Sequence, residues 1–172
     1  MIIIREFLKE DKEKVFDLMN EINEYDGNFE GADDIGRIVD YDVFLKNLDI
    51  WKHQEMINLD YSPQTTFGMF DDEKLIGVVV LRHILKGALI HHSGNIGYLV
   101  RPCERNKGYG KKLLKLSLIK AKELGLEQVL VTCKKDNIGS MKVIESNGGI
   151  YENDYYDEAS GKTFKRYWIK CV

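Results

Sequence analysis

The segment from Asn95 to Leu124 limits the possible folds of this chain more strongly than any other. An apolar strand ends at Pro102, a loop containing two glycines one residue apart follows, and an amphipathic helix begins directly after the loop. The apolar run Glu127–Cys133 supplies a further strand, so the segment predicts a βαβ unit. Such crossovers are right-handed and place their two strands parallel. We therefore expect an α/β domain built around this unit.

The start of the predicted helix is crowded with cations, namely Arg105, Lys107, Lys111 and Lys112. A helix N-terminus carries about half a positive charge and favours anions by about 0.3–1 kcal/mol, so cations are locally unfavourable there. A bound anion, held by the free backbone N–H groups of the first turn, would resolve this conflict. The pattern predicts a phosphate-binding loop.

The remaining segments add strands and helices on both sides of this unit. Helical spacing of apolar residues covers residues 9–24 and 41–51, and a short helix follows over residues 137–146. Antiparallel hairpins are predicted over residues 65–81 and 149–171. The sheet is therefore expected to be mixed, antiparallel at its start and its end, with helices on both faces. Because no repeat or linker interrupts it, the chain is interpreted as a single domain, 1–172.

Charge and composition exclude several classes of protein. The formal net charge of −3 argues against a nucleic-acid-binding protein, and no stretch reaches the roughly 20 apolar residues of a membrane span. The first residues lack the charged lead and long apolar stretch of a signal peptide. Three widely spaced cysteines, Cys103, Cys133 and Cys171, predict reduced thiols and no metal site. We expect a cytoplasmic protein.

The element order and the loop Arg105-x-x-Gly108-x-Gly110 resemble the GNAT family of acetyl-CoA-dependent N-acetyltransferases. Further matches are Leu99-Val100-Arg101-Pro102 before the loop, Asn137-x-x-Ser140 at the start of the next helix and Asn147-Gly148 at its end. The resemblance is strongest over residues 95–149 and covers the whole chain in element order. It implies a GNAT-like α/β fold with a mixed, mostly antiparallel sheet, one parallel βαβ core and helices on both faces.

The resemblance also implies that acetyl-CoA is the cosubstrate, without a metal, and that the acetyl group passes directly to an amine in a ternary complex. Backbone N–H groups of residues 106–111 would hold the pyrophosphate, and any Cβ at Gly108 or Gly110 would keep the diphosphate off the backbone. Leu99 and Val100 would pair with the pantetheine arm, and one of their N–H groups would polarise the thioester carbonyl. The implied cofactor-binding residues are Leu99, Val100, Arg105, Asn106, Lys107, Gly108, Tyr109, Gly110, Lys111, Asn137 and Ser140.

Other interpretations of the loop fit less well or stay open. A dinucleotide-binding loop needs a third glycine at the position of Leu113, and a Walker A loop is absent. A plain helix start leaves the cluster of cations unexplained. A GNAT-like domain that binds acyl-CoA as a sensor or scaffold without turnover stays open, because a fold does not guarantee a function.

The resemblance leaves the catalytic groups undetermined. The positions at which family members commonly carry the general base hold Gly94 and Ile96, and the position of the usual tyrosine acid holds Ile144. The nearest candidate bases are His91, His92 and Glu104. Of these, His92 and Glu104 are predicted to be catalytic, with His92 preferred because histidine titrates near neutral pH.

The sequence does not identify a general acid or a covalent nucleophile. Tyrosines that could protonate the departing thiolate are Tyr98, Tyr151, Tyr155 and Tyr156, although tyrosines on strands are usually packing residues. A ping-pong route through Cys103 or Cys133 would need a partner histidine, which no spacing in the chain indicates. No acid and no nucleophile is therefore assigned.

In GNAT enzymes the acceptor usually binds between the loop that joins the first two helices and the last hairpin. Both segments are acidic here, through Asp26, Glu30, Asp33, Asp34, Asp40 and Asp42 in the first and Glu152, Asp154, Asp157 and Glu158 in the second. An acidic rim would attract a cationic amine, and the plain alternative is a solvated acidic surface. The expected partner is an amine-bearing small molecule or peptide, with no nucleic acid or membrane, and the chain is expected to be a monomer or homodimer.

Overall fold

The computed structural model describes residues 1–172 and shows seven strands and four α-helices. In chain order these are β1 (Ile2–Glu6), α1 (Lys12–Tyr25), α2 (Tyr41–Trp51), β2 (Gln64–Asp71), β3 (Lys74–Arg82), β4 (Ile96–Val100), α3 (Tyr109–Glu123), β5 (Gln128–Lys134), α4 (Ile138–Ser146), β6 (Ile150–Asp157) and β7 (Lys162–Lys170). The predicted elements are confirmed, with shifted ends. None of the helices is long and apolar enough to cross a bilayer.

The strands form two antiparallel sheets, one in the order β1-β2-β3-β4 and the other in the order β5-β7-β6. The two sheets are joined by one bridge, between Gly94 and Val131. Beside it the Asn95 N–H donates to the Leu130 carbonyl at 2.7 Å, and the Leu130 N–H donates to the Asn95 side chain at 2.8 Å. The α/β class is confirmed. The structure differs from the predicted mixed sheet in one respect, because no parallel ladder joins β4 to β5.

Strand β3 separates two hydrophobic clusters, because alternate side chains of a strand point to opposite faces of the sheet. Leu75, Val78 and Val80 pack with residues of α1 and α2, whereas Ile76, Val79 and Leu81 pack with residues of α3 and α4. Removing such side chains from water contributes about 1.5–3 kcal/mol each before the entropy of folding is subtracted. Helices on both faces, as predicted, are therefore held by a shared central strand.

Strand β4 is hydrogen-bonded along one edge only. The Arg82 N–H donates to the Asn95 carbonyl at 2.7 Å, and the Arg101 N–H donates to the Ile76 carbonyl at 2.8 Å. Because the bonds of an antiparallel ladder alternate, the register directs the peptide groups of residues 97 and 99 toward β3. The N–H and C=O groups of Tyr98 and Val100 point away from β3. Between the two sheets, β4 thus presents a backbone edge that no strand pairs.

Candidate active site

The loop before α3 presents a run of free backbone donors. Asn106 and Gly108 adopt left-handed conformations, with φ of 63° and 84°, and Gly108 is the N-cap of α3. The first intrahelical bond runs from the Lys112 N–H to the Gly108 carbonyl at 3.2 Å, and the N–H groups of residues 106–111 donate to no protein acceptor. The first turn contains no acidic residue. This is the geometry with which helix N-termini bind phosphate.

Arg105 anchors this loop to the strand before it and to the end of α1. Its Nε donates to the Val100 carbonyl at 3.2 Å, and its Nη1 lies 3.6 Å from the Asp26 carboxylate. Its guanidinium also lies over the Tyr25 ring, 5.1 Å from the ring centre. The bond to Val100 occupies the carbonyl that points away from β3. Arg105 therefore stabilises the loop by contacts with other residues of the protein.

The other cations of the predicted cluster divide into two groups. Lys107 is neutralised, because its Nζ lies 3.1 Å from the carboxylate of Glu104. Lys111 and Lys112 are exposed and form no ion pair. Tyr109 anchors the first turn of α3 by donating its hydroxyl to Asp71 at 2.9 Å. The positive charge left for an anion at this helix start thus comes from Lys111 and Lys112, together with the backbone donors.

The structure gives a different reason for a glycine at position 110 from the predicted contact with the diphosphate. A Cβ at Gly110 would lie 3.2 Å from Cγ2 of Val143 on α4 and 3.8 Å from Cγ2 of Val100 on β4. A Cβ at Gly108 would meet nothing within 4 Å. Only Gly108 therefore keeps the space in front of the loop open. Gly110 instead lets α3 approach α4 and β4 closely.

The gap beside the unpaired edge of β4 is lined by the first turn of α4. The Tyr98 hydroxyl lies 2.8 Å from the Ser140 hydroxyl, and the Asn137 side chain caps α4 by accepting the Ser140 N–H at 3.0 Å. Leu99 does not belong to this gap, because its peptide groups point toward β3 and its side chain is buried against α1 and α2. Of the two residues predicted to pair with the pantetheine arm, only Val100 directs its peptide groups into this gap. Tyr98 was missed as a backbone donor, although alternation along the strand pairs it with Val100.

His92 lies at the other end of β4, in a π-helical turn, Leu89–Ser93. Its carbonyl accepts the hydroxyl of Thr132 on β5 at 2.8 Å, and its ring lies against Phe164 with 5.6 Å between ring centres. It lines a cleft of about 370 Å³. The other lining residues are Asn28, Glu30, Asp33, Lys134, Asp157, Ser160, Lys162 and Phe164. The loop after α1 and the last hairpin, predicted to flank the acceptor, therefore meet beside His92.

A family model described as "Acetyltransferase (GNAT) domain" matches residues 2–150 of this sequence. The chain belongs to the GNAT acetyltransferase family. A curated relative from Bacillus subtilis (strain 168), "Probable N-acetyltransferase YjcK", is 32% identical over 111 residues, which is 63% of this chain and 59% of that protein. The match thus spans about three fifths of that relative's length.

Solved structures of GNAT proteins share the fold. RimJ of Mycobacterium smegmatis in complex with CoA-disulfide has a TM-score of 0.71 at 13% identity, with 98% of this chain and 81% of that chain covered. The putative acetyltransferase yncA of Salmonella typhimurium with acetyl-CoA has a TM-score of 0.64 at 14% identity, with 99% and 94% covered. A chimera of the spermidine N-acetyltransferase SpeG from Vibrio cholerae and hSSAT reaches 0.62 at 18% identity, with 98% and 94% covered. At these identities the likeness concerns the fold.

The cleft of this GNAT domain is less acidic than the sequence suggests. Lys134 pairs with Glu30 at 2.5 Å, and Lys162 lines the same cleft. Other carboxylates of the predicted acidic rim also have partners within the protein. Asp26 lies near Arg105, and Asp40 caps α2. Glu152 pairs with Arg166, and Asp154 pairs with Lys135 and Lys165. Asp33 and Asp157 line the same cleft. The prediction of a broadly acidic rim is corrected to a cleft of mixed charge.

Glu104 does not suit the role of general base. Its carboxylate is buried and lies 2.5 Å from the ammonium of Lys74 and 3.1 Å from that of Lys107. The hydrogen bond from Lys74, followed by that from Lys107, lowers the pKa of Glu104 to about 2. A carboxylate of such low pKa is a weak base, so it accepts a proton from an amine poorly near neutral pH. The two ion pairs therefore favour a structural place for Glu104 over the predicted catalytic one.

Replacing Glu104 with glutamine should destabilise the protein most at neutral pH. Because the folded-state pKa is lowered, the ionised carboxylate stabilises the fold above its unfolded pKa of about 4.3. This contribution is lost as the pH falls toward the folded pKa of about 2. The loss in free energy of unfolding caused by Glu104→Gln should therefore shrink between pH 6 and pH 3 in urea titrations. Glu123→Gln, at an exposed pair with Lys120, is the control, and an equal loss at both pH values would refute the assignment.

The thiols and the usual acid position offer no catalytic group. Burial raises the pKa of the Cys133 thiol to about 11, and burial also raises the pKa of Cys103, so both stay protonated near neutral pH. The side chain of Ile144 is 0% exposed and belongs to the hydrophobic cluster of α3. No group of three or more His, Cys, Asp or Glu side chains could hold a metal ion. The remaining candidate catalytic groups are His92 and the groups that line the gap beside the unpaired edge of β4.

Proposed function

We propose that residues 1–172 act as one domain that transfers an acetyl group from acetyl-CoA to a primary amine of a small molecule or peptide. The observation that carries this proposal is the continuity of free backbone donors. The unbonded N–H groups of residues 106–111 are followed, back along the chain, by the outward-facing N–H groups of Val100 and Tyr98. A diphosphate followed by an extended amide-bearing arm needs this succession.

The cosubstrate would bind with its diphosphate on the α3 N-terminus and its pantetheine arm along β4. Adjacent outward-facing residues of a strand lie about 6.6–6.8 Å apart, so the arm reaches Val100 first and Tyr98 next. An outward N–H of β4 beside the thioester would stabilise the negative charge that develops on its carbonyl oxygen. Because β3 occupies the other edge of β4, these donors are held without reorganisation.

The acceptor would enter from the cleft beside His92. Asp33 and Asp157 supply negative charge there, and Phe164 supplies an apolar wall. Among proteins of the same fold, one is titled a spermidine N-acetyltransferase and RimL an "alpha-N-protein acetyltransferase", so both named acceptors are amines. Because Lys134 neutralises Glu30, the cleft suits an amine of low positive charge better than a polycation.

Thiol release from acetyl-CoA tests the proposed transfer. Incubation with polyamines, amino acids and short peptides should release CoA thiol with at least one amine class, and with none of the matching alcohols. Binding of acetyl-CoA by calorimetry without release across the whole panel would support the alternative, a sensor that binds acyl-CoA without turnover. That alternative draws on Gly94 and Ile144, which occupy the usual base and acid positions.

Replacing His92 with alanine should lower kcat/KM by about 10²–10⁴-fold, the usual contribution of a general base. A free amine is mostly protonated near neutral pH, so direct attack needs a group that removes its proton. The acidic limb of the pH–rate profile should also change. His53→Ala, on the exposed turn after α2, is the matched control and should leave both quantities unchanged. An unaltered profile in His92→Ala would exclude His92 as the base.

A further inference from the structure

A π-helical turn, Leu89–Ser93, carries His92 to a place just before β4. The turn is closed by the Gly94 N–H, which donates to the Leu89 carbonyl at 2.7 Å. Turns of this kind are rare and are found mostly at functional sites. The turn has no core of its own, since none of its five residues is buried. The orientation of the His92 ring must therefore come from contacts with other elements.

One face of the sheet β5-β7-β6 provides these contacts. The register places Thr132 of β5 and Tyr155 of β6 on the same face as Phe164 and Arg166 of β7. The Tyr155 ring stacks on the ring of His91, with 4.8 Å between ring centres, and Phe164 lies against the ring of the next histidine. The aromatic residues of this face thus hold the two rings of the turn, while Thr132 and Arg166 bind its backbone carbonyl groups.

Arg166 joins the turn to β6. Its side chain is buried, and its Nε and Nη2 both donate to the Ile90 carbonyl, at 3.2 Å and 3.0 Å. Its Nη1 donates to the Asn153 side chain at 2.8 Å and forms an ion pair with Glu152. Because a guanidinium is planar, these donors keep a fixed fork geometry that an ammonium group lacks. The Ile90 carbonyl, two residues before His92, is thus held in one direction.

Arg166 is placed to act on the reaction only through this turn, because it does not line the cleft beside His92. A general base must lie within about 2.6–3.2 Å of the atom that gives up its proton. A displacement of about 1 Å can lower a rate by about a hundredfold. A contact that fixes the turn therefore affects the rate without touching either substrate.

We propose that Arg166 is a positioning residue of the transfer, which holds the π-helical turn so that the ring of His92 faces the acceptor cleft. The inference rests on the proposed acetyl transfer. In that step the amine proton passes to the His92 ring, the acceptor nitrogen bonds the carbonyl carbon, and the carbon–sulfur bond breaks with its electron pair on sulfur. Arg166 keeps its proton throughout. Without the fork, the Ile90 carbonyl is free to rotate, and the ring spends less time within reach of the amine.

Replacing Arg166 with lysine keeps the charge and removes the fork. Arg166→Lys should lower kcat/KM for the amine by about 10–100-fold and leave the affinity for acetyl-CoA, measured by calorimetry, unchanged. Added to His92→Ala, the same change should cause no further loss, because residues that act through one group are not additive. Imidazole in solution should restore part of the rate to His92→Ala and to the double variant equally, since a free base needs no turn to hold it.

Two further variants separate positioning from a general effect on the fold. Arg5 on β1 likewise donates to a carboxylate, that of Asp11, and to a backbone carbonyl, that of Glu6, so Arg5→Lys should leave kcat/KM unchanged. Glu152→Gln removes the ion pair that holds the guanidinium from the side of β6 and leaves Arg166 in place. It should lower kcat/KM by a smaller factor, which should also vanish in His92→Ala.

The outcomes distinguish this inference from the proposed function. If the natural protein transfers acetyl groups and Arg166→Lys lowers kcat/KM by the same factor with and without His92, or not at all, the inference is overturned and the transfer stands. The same holds if His92→Ala is as fast as the natural protein. If the natural protein binds acetyl-CoA but releases no thiol with any amine, the proposed function and the inference fall together.

Discussion

Replacing Gly108 with tryptophan should weaken acetyl-CoA binding by about a hundredfold or more. Each hydrogen bond to a charged group contributes about 1.5–3 kcal/mol, and an indole that displaces the diphosphate would remove at least two such bonds. A side chain at Gly108 would project into open space at the centre of the loop whose N–H groups are unbonded. Calorimetry with acetyl-CoA measures the loss.

Gly125 provides a control with almost the same backbone. Its φ is 83° against 84° for Gly108, and a Cβ at either position meets nothing within 4 Å. Gly125→Trp therefore carries the same left-handed strain, about 1–2 kcal/mol, at the opposite end of α3. Both variants should lose similar stability in urea titrations, whereas only Gly108→Trp should lose the cosubstrate. Equal affinity for acetyl-CoA in the two variants would remove the loop as the diphosphate site.

Local patterns in the sequence were sufficient for the helices and strands and for the position of the loop before α3. Helix α2 runs from Tyr41 to Trp51 as predicted, because Asp40 caps it and apolar spacing marks its buried face. The loop was recognisable because its glycines and cations conflict with a plain helix start. Helix α1 begins at Lys12 rather than at Lys9, since Lys9–Asp11 forms a 3₁₀ turn before it.

The features that could not be predicted from the sequence depend on strand register and on ion pairs between residues that are distant in the chain. Which residues of β4 face the gap follows from the ladder with β3, which turns Leu99 away and brings Tyr98 forward. The role of Glu104 was hidden because Lys74, which lowers its pKa, lies 30 residues away in the chain. The number of carboxylates in the sequence likewise overstates the negative charge of the cleft beside His92, because Lys134 contacts Glu30 across 104 residues.

Replacing Gly94 with alanine should strongly lower the stability of this protein. Gly94 has a φ of 67°, and a Cβ there would lie 2.4 Å from the Leu130 carbonyl oxygen of β5. The left-handed strain costs about 1–2 kcal/mol, and overpacking against a backbone that cannot rotate away adds about 1–3 kcal/mol. A domain of this size loses about 2–4 °C in Tm per kcal/mol, so thermal unfolding should shift down by about 4–20 °C.

The variant Gly87→Ala separates the effect of left-handed backbone strain from the effect of the close contact with β5. Gly87 also has a positive φ, 51°, but its Cβ would meet nothing within 4 Å, so its Tm should fall by only about 2–8 °C. Because Gly94 carries the one bridge between the two sheets, the clash must also move β5 away from the edge of β4. Gly94→Ala should therefore weaken acetyl-CoA binding at temperatures where the protein is still folded, and Gly87→Ala should not. Equal Tm shifts in the two variants would show that the approach of β5 at Gly94 does not set the spacing of the gap.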